Sequence, residues 1–125
     1  MTVHSIDDYA LSTSSETARI DTFNLIGVIY TPKQWSSLSR IIKSAQIEFL
    51  LIKSTTILPP CFLNIAQSIQ NITRLELNVC KINDKMCIDL AKNLVGNKKL
   101  TALNLNGNYI LDGGFMALGS RFRLK

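Results

Sequence analysis

The sequence predicts an α/β protein built as a stack of four strand-then-helix units, and three observations predict it. One ruler of apolar positions fits the chain four times. From Leu100 it falls on Leu100, Leu103, Leu105, Ile110, Phe115, Leu118 and Phe122, at offsets 1, 4, 6, 11, 16, 19 and 23. Started at Ile20, Ile47 and Ile72 it again meets only apolar residues, 28 positions in all. Against a 46% apolar background the chance of this is about 10⁻¹⁰, or about 10⁻⁶ after a few thousand trial registers. Offsets 4 and 6 alternate with polar or variable residues, the period of a short strand with one buried face. Offsets 16, 19, 20 and 23 keep the i, i+3, i+4, i+7 spacing of a helix with one apolar face. A lone strand and helix cannot bury those faces, so the units must stack.

Each element follows in order. Unit one runs from Ile20, with Phe23 and Leu25 as the inward strand pair and Trp35, Leu38 and Ile42 on its helix. Pro32 suits a first-turn position there, where a missing N–H costs nothing. Unit two begins at Ile47, with Leu50 and Ile52, then Ile57, then Phe62, Ile65 and Ile69 behind Pro59-Pro60. Unit three begins at Ile72, with Leu75 and Leu77, Ile82, and Cys87, Leu90 and Leu94 on its helix. Unit four begins at Leu100. Asp84 and Asp112 are expected as the N-caps of the last two helices. Offset 20 is always small (Ser39, Ala66, Ala91, Gly119), which lets each helix approach the strands closely. Units start 27, 25 and 28 residues apart, and all length variation falls after offset 23. Residues 19–125 therefore hold four units starting at 20, 47, 72 and 100. The Ser/Thr-rich, acidic residues 1–18 form a lead-in or an N-terminal cap.

Leu100 to Ile110 reads LTALNLNGNYI and Ile72 to Ile82 reads ITRLELNVCKI. Both fit L-x-x-L-x-L-x-x-N/C-x-L followed by a helix. The chain thus resembles the leucine-rich repeat family, and its period and full helix resemble the ribonuclease-inhibitor-like subclass, found also in NOD-like receptors and in bacterial effectors. The resemblance spans Ile20 to Phe122; Val28 and Thr55 depart from it in the Asn/Cys slot. It implies a solenoid, a segment of a right-handed α/β horseshoe, with parallel strands on the concave face and helices on the convex one. It also implies protein binding on the concave face.

Composition narrows the function classes. Apolar content is sufficient for a core. No apolar run approaches the roughly 20 residues of a membrane helix, and residues 1–18 lack a secretory pattern. Three cysteines make a disulfide framework improbable. A cytoplasmic protein, or one in a host cytoplasm if it is a bacterial effector, is expected. The net charge of +5 is uneven, with −3 over residues 1–30 and +8 thereafter.

Catalysis is not expected. His4 is the sole histidine, and no motif brings it to Cys61 or to a serine. Cys80 and Cys87 occupy core slots, and Cys61 is expected to be partly exposed. No paired C-x₂-C spacing marks a metal, and no cofactor motif is present. Gly113-Gly114 reads as a helix-entry turn, since no Lys-Ser/Thr follows it.

Binding is expected through side chains at offsets 3, 5 and 7. The partner-binding candidates are Phe49, Leu51, Lys53, Arg74, Glu76, Asn78, Asn104 and Asn106. Ile26, Phe49 and Leu51 would form an apolar patch beside Lys53, Arg74 and Glu76. Burial of that patch under the N-terminal segment, through Tyr9 and Leu11, is the competing expectation. Nucleic acid is the rival partner, yet Lys33, Arg40, Lys43, Lys81, Lys85 and Lys92 fall on expected helices or spacers and read as a solvated convex face. A structural fragment of a larger receptor or effector is the other alternative. Unit four shows no polar cap, so self-association, a partner or further repeats would cover its edge.

Overall fold

The computed structural model describes residues 2–3 and 19–121. Among these, β1 (Thr2–Val3), β2 (Arg19–Ile26), β3 (Gln46–Lys53), β4 (Arg74–Asn78) and β5 (Ala102–Asn104) form one sheet in sequence order. Every neighbouring pair is parallel. Helices α1 (Pro32–Ser44), α2 (Pro59–Ala66) and α3 (Asp84–Leu94) connect β2 to β5, and α4 (Asp112–Arg121) follows. Each helix packs on the next, α1 on α2, α2 on α3 and α3 on α4. The fold is α/β with a parallel sheet.

The apolar ruler sets the register. Phe23 pairs with Leu50, Leu50 with Leu75 and Leu75 with Leu103, so like offsets lie side by side. Leu50 and Leu75 are 0% exposed, and Ile47, Ile57, Phe62, Ile72, Ile82 and Leu90 are at most 2% exposed. These residues form one continuous core between sheet and helices, the burial that holds the layers together. Pro32 and Pro59 open their helices as expected, and Thr31 completes a reciprocal cap with Gln34.

A shared turn follows each strand. Gly27, Ser54, Val79 and Gly107, all at offset 8, have φ of 62°, 54°, 57° and 73°. This left-handed corner lets three N–H groups bond forward in the same way: Gly27 to the Lys53 carbonyl at 2.9 Å, Ser54 to Asn78 at 3.0 Å and Val79 to Asn106 at 2.9 Å. Offset 9 then supplies a buried polar ladder. Thr55 Oγ1 accepts from Val28 N (3.3 Å) and donates to the Lys53 carbonyl (3.0 Å), while Cys80 Sγ donates to Ile52 O (3.3 Å). Asn108 accepts from Cys80 N and Ile82 N at 2.8 and 3.1 Å and donates to the Leu77 and Leu105 carbonyls at 2.6 and 3.0 Å. Val28 has no polar group to offer, so its own N–H is served by its neighbour Thr55.

Several expectations need correction. Asn83, not Asp84, caps α3, through Met86 N at 2.9 Å. Asp84 is instead a cross-brace: its Oδ1 accepts from Leu111 N at 2.6 Å, just ahead of α4. Asp112 lies inside the first turn of α4. Phe115 is 60% exposed rather than buried, and a Cβ on Gly119 would meet nothing within 4 Å, because no unit packs beyond α4 among the described residues. Cys61 is 5% exposed, not partly open. Of residues 1–18, only Thr2–Val3 are described, as the edge strand β1, which the sequence did not announce. Tyr9, Leu11, His4 and Phe122 lie outside the described residues.

Candidate binding face

One face of the sheet packs on the helices; the other carries offsets 3, 5 and 7, and no described helix packs on it. Register aligns these positions in columns. Thr22, Phe49, Arg74 and Ala102 form one column and Asn24, Leu51, Glu76 and Asn104 the next. Ile26, Lys53 and Asn78 form the third. Parallel pairing about 4.8 Å apart makes column neighbours touch.

The centre of the face is an ordered polar–aromatic cluster. The Arg74 guanidinium carbon sits 4.7 Å from the centroid of the Phe49 ring, a cation–π arrangement. Arg74 Nε lies 4.0 Å from Glu76 Oε2, and Asn104 Nδ2 donates to Glu76 Oε1 at 3.1 Å. Asn104 Oδ1 in turn accepts from Asn106 N at 3.0 Å. Arg74 is 56% exposed and Glu76 19%, so the ion pair adds little stability; its effect is to orient the guanidinium. Phe49, Leu51 and Asn78 are half-buried, Ile26 is 41% exposed, and Lys53 and Asn106 are exposed. Asn78 Oδ1 is shielded from solvent and accepts no hydrogen bond. Seven of the eight sequence-predicted residues thus share one face by register, Asn106 following just after β5, and Phe49, Arg74, Glu76 and Asn104 are in contact as a chain.

Two clefts lie away from these residues. One of about 380 Å³ is bordered by Lys43, Glu48, Asn71, Thr73 and Lys99. Another of about 360 Å³ runs between α1 and α2, bordered by Lys33, Arg40 and Lys43 with serine and amide groups. That basic groove was not visible as a run in the sequence, because its cations are spread over three turns of α1. The chemically reactive inventory is muted. Burial pushes the Cys80 thiol up to about 11; burial first, then the Asp84 charge, pushes Cys87 up to about 11; and burial raises Cys61. At neutral pH all three remain protonated and poorly nucleophilic. Among the described residues no group of three or more His, Cys, Asp or Glu side chains is placed to hold a metal ion, and no helix is long and apolar enough to cross a membrane.

Sequence reasoning missed Asn97, the clamp between units three and four. Its Nδ2 donates to the Ile69 and Ile72 carbonyls at 2.8 and 3.0 Å, and its Oδ1 accepts from Lys99 N and Leu100 N at 2.7 and 2.8 Å. It lies in a spacer, outside the ruler. Compared with known proteins, the chain matches no protein-family model and no curated protein.

Proposed function

We propose that the chain is a leucine-rich-repeat-like solenoid of the ribonuclease-inhibitor-like kind, serving in the cytoplasm as a protein-binding module without catalysis of its own. The observation that carries this reading is the Phe49–Arg74–Glu76–Asn104 cluster at the middle of the sheet face turned away from the helices. Aromatic and Arg side chains are the commonest energetic anchors of interfaces, above all when centrally placed and held in position before binding. A face that spreads side chains in columns across four strands suits a macromolecular partner better than a small ligand, which is normally enclosed on most sides. Repeat alignment supports the solenoid part: equal offsets pair across β2, β3, β4 and β5, and the offset-8 turn recurs four times.

The test is a peptide-display selection on the wild-type chain, followed by affinity measurement on the double variant F49T/R74E. Selected ligands are expected to lose at least about tenfold in affinity, the effect of removing one strong anchor, while far-UV circular dichroism and Tm stay close to wild type. Ligands that bind the variant equally well would overturn the assignment of the face. The basic groove between α1 and α2 favours a second reading, association with nucleic acid. That reading requires affinity for a mixed-sequence oligonucleotide to fall steeply with added salt.

A further inference from the structure

The groove between α1 and α2, a cavity of about 360 Å³, gathers charge of one sign. Lys33, Arg40 and Lys43 border it from α1, and no aspartate or glutamate does. Their spacing of seven and three residues sets them along one side of the helix, about 10.5 and 4.5 Å apart along its axis. All three are exposed, and none has a carboxylate partner among the described residues. Arg40 is also oriented, because its Nη2 donates to Ser37 Oγ at 3.2 Å.

The floor of the groove is polar and internally bonded. Ser39 and Ser68 are 8% and 5% exposed. Their hydroxyls donate to the Trp35 carbonyl at 3.2 Å and the Asn64 carbonyl at 2.7 Å. On the wall opposite the cations stand Asn64 of α2 and its C-cap residue Gln67, both exposed. Their amide groups carry N–H donors. The neighbouring 380 Å³ cleft shares Lys43 but includes Glu48, so an anion is favoured on the α1–α2 side.

We propose that this groove binds a compact organic polyphosphate, a ligand carrying two or more phosphate groups on a small scaffold. Phosphate oxygens accept charge-assisted hydrogen bonds from ammonium and guanidinium groups, and the amides of the other wall complete the set of donors. Three cations within about 15 Å lie inside roughly two Debye lengths at physiological salt, so they act jointly on one ligand. A volume of about 360 Å³ falls within the usual range of small-ligand sites. A nucleic acid is matched less well, since no aromatic side chain borders the groove to stack a base. Soluble polyphosphorylated metabolites and phosphoinositide headgroups carry the same chemistry. The groove is remote from the Phe49–Arg74 cluster, so either assignment stands if the other fails.

Isothermal titration with inositol hexakisphosphate at about 150 mM salt tests it. The wild-type chain is expected to bind one equivalent with a Kd below about 100 µM. Inorganic phosphate, with a single group to offer, is expected to bind at least about tenfold more weakly. R40Q/K43Q removes two cations of the groove and is expected to lose at least about tenfold in affinity for the hexakisphosphate. K85Q/K92Q removes the same charge from exposed positions on α3 and is expected to change that affinity less than about twofold, with far-UV spectra unchanged in both variants. Co-sedimentation with phosphatidylcholine vesicles holding about 5% phosphatidylinositol bisphosphate separates the two sources. Retention of wild type but not of R40Q/K43Q assigns the ligand to a lipid headgroup; hexakisphosphate binding without retention assigns it to a soluble molecule. Neither probe binding, equal losses in the two variants, or a mixed-sequence oligonucleotide displacing the hexakisphosphate at equal phosphate concentration would overturn the proposal.

Discussion

Val79 holds a β-branched side chain at a φ of 57°, in a turn where units one and four use glycine. The left-handed region costs an ordinary L-residue about 1–2 kcal/mol, and glycine is nearly free of that cost. Val79 is 50% exposed, so it recovers only part of the strain by packing. V79G is therefore expected to raise stability by up to about 1 kcal/mol after the entropy glycine adds to the unfolded chain. The next unit is coupled to it, since a Cβ on Gly107 would lie 2.9 Å from Val79 Cγ2. G107A alone is expected to cost about 1–3 kcal/mol through strain and crowding. In the V79G background it should cost measurably less, because the clashing methyl is gone. Urea melts of the four-member cycle read the coupling directly; strict additivity would show that the two turns do not touch.

At the scale of elements, α4 is held by features that no local pattern announces. Asp84 reaches from α3 to the N–H of Leu111, and its carboxylate stands at the positive end of α4. The Gly113-Gly114 pair makes room for it: a Cβ on Gly114 would lie 2.7 Å from Ile110 Cγ2 and 2.8 Å from Asp84 Oδ1. G114A is thus expected to destabilise the chain by about 1–3 kcal/mol despite alanine's better helix propensity. G119A, with open space around it, is expected to stabilise by up to about 1 kcal/mol. Thermal melts of the two variants moving in the same direction would contradict this placement of α4. The contrast also shows what a sequence carries. Burial at Leu50, Leu75 and Leu77 is legible because side-chain alternation is a local property of the strand. The same period picks out the face holding Phe49, Arg74 and Glu76. The partners of Asp84, Asn97 and Asn108 are not legible, since each spans 25 to 31 residues and any nearby carbonyl or N–H would satisfy the same side chain. Phe115 marks the other limit: periodicity tells which way a residue points, not whether anything packs against it.

For the whole molecule, the stack has an uneven distribution of stability. In the proposed repeat arrangement each unit is held by its own packing and by the interfaces it shares with its neighbours. Units two and three are flanked on both sides by described structure, and their core residues from Ile47 to Leu94 are at most 5% exposed. Among the described residues unit four shares one interface, and its offsets 1, 4, 6 and 11 are only half-buried. Local opening should follow that gradient. In native-state hydrogen exchange at dilute protein, amides of β3 and β4 are expected to exchange only through global unfolding. Those of α4 and β5 should open at lower free energy, with the α4 first turn loosened further in D84A. Uniform protection from β2 to α4 would mean that the chain unfolds as a single cooperative block, and that the half-buried offsets of unit four cost it nothing.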